Sequence, residues 1–197
     1  MSIVTRIQQF LEDVPPVPKI EGIGYVYSIP NAKDPATDEN MIRYTQKLWL
    51  DRKAKKGIHF SMKCIFGEFS CLESIELILN NENYRNICDS IEVVFGDTIF
   101  NNTNKSKLKK YLDVHSDFLK LYRSTTRPEH HGIMIGDNLM CEDDHKFGEI
   151  YKSVMVIENA SIEMKNQFLN SFNDFKGKGS LIDRSESLES VPVYYNT

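Results

Sequence analysis

The sequence lacks the marks of several large function classes. No Gly-x4-Gly-Lys-Ser/Thr loop, no Gly-x-Ser-x-Gly elbow and no His-Glu-x-x-His helix occurs in it, which removes the best-marked nucleotide hydrolases, serine hydrolases and zinc proteases. Cysteine is scarce. Cys64, Cys71, Cys88 and Cys141 contain no Cys-x2-Cys pair and no framework spacing, so neither a zinc knuckle nor a disulfide scaffold is indicated, and the expected compartment is the reducing cytoplasm. Long apolar runs are missing too: no stretch approaches the ~20 residues of a membrane helix, and no early segment joins a basic start to an unbroken apolar core. The chain therefore reads as soluble, with no membrane partner. Positive charge is not in excess either. With 24 basic and 28 acidic residues the formal charge is −4, so attraction to nucleic acid would require a local patch. The nearest is Arg52-Lys53-Ala54-Lys55-Lys56, at the end of a predicted helix, where cations complement the helix dipole.

What is present suffices for a core: 197 residues, 41% of them hydrophobic, support one α/β domain, read here as residues 1–175. Ile3, Val4, Ile7, Phe10, Leu11 and Val14 recur at helical spacing until Pro15-Pro16 stops them, an amphipathic element that must dock on its own sheet or on a second subunit. Its own sheet is the favoured target, because one apolar stripe on a short helix is ordinary core material. Gly22–Ile29 has the branched and aromatic content of a strand. Met41, Ile42, Thr45, Leu48 and Trp49 form one face of a helix with Thr37 or Asp38 as its cap.

His59–Phe66 alternates, with Phe60, Met62, Cys64 and Phe66 on one face. A helix through Leu72, Ile75, Ile78 and Leu79, a strand at Ile91–Phe95, a helix through Leu108, Tyr111 and Leu112, and a strand at Phe118–Tyr122 follow. Strands alternating with helices predict a mixed, mostly parallel sheet covered by helices on both faces. The runs flanking Gly136-Asp137 predict a β-hairpin, Tyr151–Ile157 a buried strand, and Met164, Phe168, Phe172 and Phe175 the inner face of a closing helix capped by Asn159 or Ser161. Residues 176–197 read as a flexible tail whose apolar patch, Val191–Tyr195, adds to a sheet edge or binds a protein partner.

Residues 127–159 carry the chemistry. Arg127-Pro128-Glu129 leads into His130-His131-Gly132, and Asp137 follows His130 by seven positions. Together with the order of strands and the terminal helix, this stretch resembles one half of a phospholipase-D-like domain, whose signature is His-x-Lys-x4-Asp on a strand. The lysine position is Gly132. The resemblance implies a nucleophilic role for His130 and a motif-acid role for Asp137. It also implies dimerisation, since one half supplies only one histidine. Loss of the lysine removes a cation worth several kcal/mol to phosphoryl transfer, roughly a hundredfold or more in rate, unless Arg127 or Lys152 replaces it.

Other readings compete with this one. His130, His131, Glu142, Asp143, Asp144 and His145 are metal-ligand types, but adjacent strand histidines face opposite ways and the spacing is not diagnostic, so no metal or other cofactor is assigned. Glu68 and Asp97 follow strands, where open α/β sheets collect ligands, and Asp97 is the better placed, with a helix cap as the plain alternative. Cys141, near the histidines, is the one cysteine worth testing. The sequence as a whole therefore points to a self-associating binding or regulatory module on a degenerate phospholipase-D-like fold. Such a module would take a phosphorylated ligand or nucleic acid through Arg127, His131, Lys152 and Asp97, or a protein partner through Val191–Tyr195. The alternative is a homodimeric phosphodiesterase or nuclease using His130.

Overall fold

The computed structural model describes residues 19–30, 35–67, 69, 71–128, 130–143, 153–182 and 184–195. In chain order the elements are β1 (Lys19–Ile20), β2 (Gly24–Pro30), α1 (Pro35–Lys56), β3 (Phe60–Phe66), α2 (Leu72–Leu79), α3 (Glu82–Arg85) and β4 (Cys88–Phe95). Then come β5 (Ile99–Asn101), α4 (Asn102–His115), β6 (Leu119–Ser124), β7 (His130–Ile135), β8 (Asn138–Asp143) and β9 (Ser153–Glu158). The chain closes with α5 (Ile162–Gly177), β10 (Gly179–Ile182), a 3-10 turn at Ser185–Leu188, and β11 (Val193–Tyr195). The expected amphipathic element over Ile3–Val14 lies outside the described residues, and α1 opens at Pro35, ahead of the expected caps Thr37 and Asp38.

Nine strands form one sheet in the order β1-β2-β9-β8-β7-β3-β4-β6-β10. Only β3-β4 and β4-β6 pair in parallel within it. All the other neighbours, β1-β2, β2-β9, β9-β8, β8-β7, β7-β3 and β6-β10, run antiparallel, so the expectation of a mostly parallel sheet is corrected to a mixed, mostly antiparallel one. The physical reason is that periodicity encodes which face is buried and says nothing of strand direction. The two-residue turn Gly136-Asp137, with Gly136 at φ +64°, reverses the chain between β7 and β8 as a hairpin must.

Helices cover both faces. On one, Trp49 and Leu50 of α1, Ile75 and Ile78 of α2 and Leu108 and Leu112 of α4 join Phe60, Met62, Cys64 and Phe66 of β3 in a single buried cluster. On the other, Phe168 and Phe172 of α5 pack with Ile65, Val94, Met134, Leu139 and Ile157. The strict alternation of β3 sends its even-numbered residues to the first face and Ile65 to the second. Ser161 caps α5: its Oγ accepts from Met164 N at 3.2 Å and donates to Gly22 O at 2.5 Å. Glu158, at the end of β9, pins α1 to the sheet by accepting from Trp49 Nε1 at 3.0 Å and Tyr27 OH at 2.9 Å.

Residues 176–182 and 184–195, read from sequence as a flexible tail, include the end of α5, β10, the 3-10 turn and β11. β10 pairs with β6, Leu188 and Val191 are buried, and of the patch Val191–Tyr195, expected to add to a sheet edge or bind a partner, Val193–Tyr195 pairs in parallel with β5 of the same chain. No helix among the described residues is long and apolar enough to cross a membrane.

Candidate functional site

The parallel strands β3, β4 and β6 end along one edge of the sheet, and β7 begins there, so the connections after Phe66, Phe95 and Ser124 meet His131. Gly67 and Gly96 cross in this edge. The amide of Gly96 donates to Phe66 O at 3.2 Å and Gly67 O at 3.1 Å, and a Cβ on Gly96 would stand 2.2 Å from Gly67 O, a distance no side chain tolerates. Over Gly67 a Cβ would lie 2.8 Å from Arg127 Nε, 3.0 Å from His131 Nε2 and 3.3 Å from Arg127 Nη2. The absence of a side chain there lets a guanidinium and an imidazole settle together on bare backbone.

The two walls differ in character. His131 is buried, with its ring 5.5 Å from that of Phe66 and tilted by 52°, whereas Arg127 is exposed on the loop between β6 and β7. A fixed imidazole beside a solvent-reaching guanidinium is an arrangement that can receive an oxyanion: the planar fork of arginine bonds two oxygens and the ring nitrogen supplies direction. Asp97 follows Gly96 on the same edge and is exposed. Its carboxylate gives the rim one negative charge, so an oxyanion held at this edge would face Arg127 and turn away from Asp97.

The residues expected to be catalytic are not gathered here. His130 belongs to β7, opposite Asp143 of β8, and by the alternation of a strand its position shares the α5 face with Gly132, while His131 faces the other way. On that face the motif-lysine position is closed. A Cβ on Gly132 would stand 2.8 Å from Phe168 Cε2 and 3.3 Å from Met140 O. Asp137 sits in the hairpin turn at the far end of β7, on the order of 20 Å from His130 at ~3.4 Å per strand residue.

There Asp137 accepts from Lys53 Nζ at 2.8 Å. Burial alone would raise the Asp137 carboxyl, and the ammonium of Lys53 more than reverses this, holding it below the ordinary carboxylate range. Its role is to tie α1 to the hairpin. Lys53, inside the basic run read as complementing the helix dipole, is buried.

A second charged group missed in the sequence lies under α5. Glu92 of β4 is held between Lys63 of β3 and Lys176 of α5, the latter at 2.5 Å, and Lys176 Nζ also stands 4.5 Å from the centre of the Tyr122 ring. Burial would push the Glu92 carboxyl up, and the two ammonium groups bring it below its ordinary value. The signal was invisible in sequence because the three residues come from positions far apart in the chain.

Lys152, Glu68, Asp144 and His145 lie outside the described residues. Among the described residues no group of three or more His, Cys, Asp and Glu side chains stands together as metal ligands would. Cys141 pairs with Gly132 across β7-β8, on the face opposite to His131.

No protein-family profile matches the sequence, and no curated protein does. Solved structures do match in fold. One is TrmBL2, an archaeal chromatin protein whose structure shows a novel mode of DNA binding, at 9% identity and TM-score 0.51, covering 91% of this chain and 63% of that one. Another is Nuc, a phospholipase D family member from Salmonella typhimurium, at 10% identity and TM-score 0.53, covering 80% of this chain and 98% of that one. A third is a phosphatidylserine synthase from Haemophilus influenzae Rd KW20, at 9% identity and TM-score 0.51, covering 87% of this chain and 42% of that one. The chain thus spans less than two thirds of the first and third of these proteins. The fold is phospholipase-D-like: α/β, with one nine-stranded mixed sheet and helices on both faces.

Proposed function

We propose that the protein is a binding or regulatory module that uses a phospholipase-D-like fold without its phosphoryl-transfer chemistry, and that it takes a phosphorylated ligand at the edge formed by Gly67, Gly96, Arg127 and His131. The observation that carries this reading is the closure of position 132. With Phe168 packed where a side chain there would grow, the face bearing His130 has no room for a phosphate-holding lysine. The edge around Gly67, by contrast, brings a guanidinium and an imidazole to one point. Binding to an oxyanion needs those donors and nothing more, while turnover needs a nucleophile and a cation on the same phosphorus.

The test is calorimetric titration with inorganic pyrophosphate and a nucleoside monophosphate, on the wild type and on Arg127→Ala and His131→Ala. The reading expects binding that either substitution weakens by tenfold or more, and no hydrolysis of bis-p-nitrophenyl phosphate that depends on His130. Absence of binding in the wild type would sink it. A second reading, a homodimeric phosphodiesterase or nuclease, is favoured by the match covering nearly all of the Nuc chain. It requires a dimer in solution and turnover lost in His130→Ala, with Arg127 or Lys152 in the place of the motif lysine.

A further inference from the structure

We propose that the ligand of the Gly67 edge is a phosphomonoester of a polyol, free or as part of a nucleotide, and that Asp97 selects it by accepting hydrogen bonds from hydroxyls beside the phosphate. This rests on the reading of that edge as a phosphate site and adds a second point of contact to it. β7 pairs with β3 on the side away from β4, so the chain leaving β6 runs back across the ends of β4 and β3 to reach it. That path lays Arg127 over Gly96, where a Cβ would stand 3.6 Å from Arg127 Cα. Asp97 is the next residue. With successive Cα atoms ~3.8 Å apart, its Cα lies within ~9 Å of that of Arg127.

The backbone holds Asp97 from both sides. Before it, the amide of Gly96 is bonded to Phe66 O and Gly67 O; after it, Thr98 O accepts from Phe69 N at 3.0 Å, and Phe69 bridges Ile99 in parallel. Between these anchors Asp97 is exposed, and among the described residues no group pairs with its carboxylate. Nor is it a helix cap, the plain role open to an acid at this place in the sequence. α4 begins at Asn102, and its cap is Asn101, whose side chain accepts from Asn104 N at 2.8 Å. A carboxylate on a fixed backbone, spent on no internal contact, loses little freedom when a ligand engages it. Its charge then decides the chemistry. An ionised carboxylate only accepts hydrogen bonds and repels anionic oxygen, so a ligand that meets both points gives phosphate to Arg127 and donors to Asp97. Polyol hydroxyls are such donors, and at the carboxyl ends of strands in open α/β sheets an acid commonly takes the hydroxyls of a ribose.

Calorimetric titration compares α-glycerol phosphate with propyl phosphate, which has the same phosphate and carbon chain and no hydroxyl, on the full chain and on Asp97→Ala and Arg127→Ala. The wild type is expected to bind glycerol phosphate about tenfold more tightly, the worth of one hydrogen bond to a charged group. Asp97→Ala should erase that preference and leave propyl phosphate binding as it was, which also shows the variant to be folded. Arg127→Ala should weaken both ligands alike. Adenosine monophosphate separates the two sources: bound more tightly than glycerol phosphate it assigns a nucleotide, and otherwise a free polyol phosphate, with affinity lowered in Asp97→Ala in either case. Equal binding of glycerol and propyl phosphates by the wild type, or a preference that survives Asp97→Ala, overturns the proposal. Ethanolamine phosphate bound more tightly than glycerol phosphate overturns it as well, because the donor read by Asp97 is then an ammonium. If pyrophosphate binds in an Arg127-dependent way while the hydroxyl preference is absent, the phosphate site stands and the role of Asp97 falls. If neither pyrophosphate nor any monoester binds, the phosphate site itself falls, and this proposal with it.

Discussion

Phe168 occupies the volume into which any side chain at position 132 would grow, its Cε2 only 2.8 Å from where a Cβ on Gly132 would stand. The ring is 9% exposed and shares its buried cluster with Ile65, Met134, Leu139 and Phe172. Glycine on the strand and phenylalanine on the helix are therefore complementary. The volume that a side chain at position 132 would need is filled by the ring of Phe168.

Adding a lysine there should damage the fold before it brings chemistry. Gly132→Lys is expected to cost roughly 1–3 kcal/mol, as overpacking does, and to leave phosphodiester hydrolysis undetectable. Phe168→Ala should cost about 3–5 kcal/mol by leaving a cavity. In the double variant the lysine stem enters that cavity, so urea melts should show a loss smaller than the sum by more than ~0.5 kcal/mol. Strict additivity would mean that ring and strand position do not interact.

This relationship marks where the sequence stops being legible. The buried face of β3, the hairpin at Gly136-Asp137 and the inner face of α5 follow from spacing alone, because period 2, a turn pair and period 3.6 are local facts. Strand direction is not local: the same apolar runs serve β7, β8 and β9 in antiparallel pairing as would serve a parallel sheet. Nor is partnership. Lys53 reads as one more cation in a basic run until the hairpin turn 84 positions away supplies Asp137. The small strand β10 and the buried Leu188 and Val191 were hidden in a glycine- and serine-rich stretch whose composition suggests mobility. Arg127 and His131 were legible as candidates, but their convergence on Gly67 depends on a crossing of two connections that no spacing reveals.

Glu92 should set part of the acid limb of stability. Its folded-state carboxyl lies below the ordinary value despite burial, because Lys176 and Lys63 donate to it. A depressed carboxyl contributes stability that is complete above its unfolded value of ~4.3 and is lost as pH falls through the folded one. Glu92→Gln leaves two ammonium groups facing each other without a counter-charge and is expected to cost about 2 kcal/mol at neutral pH, below the range for a fully buried pair. Chemical melts of both proteins between pH 7 and pH 3 should converge as pH falls. Curves that stay parallel would refute the assignment.

The Lys53–Asp137 pair has the same sign and a smaller size. Asp137 is held below the ordinary range, so its contribution too is present above an unfolded value of ~3.9 and disappears on acidification. With the carboxylate side chain 43% exposed, solvent screens the pair, and Asp137→Asn is expected to cost only about 1 kcal/mol. Hydrogen exchange should locate the loss in the β7-β8 turn and the end of α1. Phosphodiester or phosphate binding should not change, because the pair lies at the opposite end of β7 from the Gly67 edge. A drop in ligand affinity in Asp137→Asn would return Asp137 to the functional residues.

The two glycines of the edge should respond to alanine in opposite ways. At Gly96 the new Cβ would meet a backbone oxygen, Gly67 O, at 2.2 Å, and neither strand end can yield without breaking the pairing of β3 with β4. Gly96→Ala is expected to cost 3 kcal/mol or more, about the severest loss overpacking brings, and to lower soluble yield. At Gly67 the same methyl meets the far end of a flexible side chain, Arg127 Nε at 2.8 Å, along with His131 Nε2 at 3.0 Å. The guanidinium can swing into solvent, so Gly67→Ala should fold with a loss of roughly 1 kcal/mol or less. What it cannot keep is the meeting of the two donors. Pyrophosphate affinity should therefore fall about tenfold in a protein whose urea midpoint barely moves, the amount expected when one charge-assisted hydrogen bond of ~1.5 kcal/mol is withdrawn. Unchanged affinity in Gly67→Ala would show that the ligand does not depend on the convergence of Arg127 and His131. Equal loss of stability at both glycines would show that the edge is a structural crossing alone.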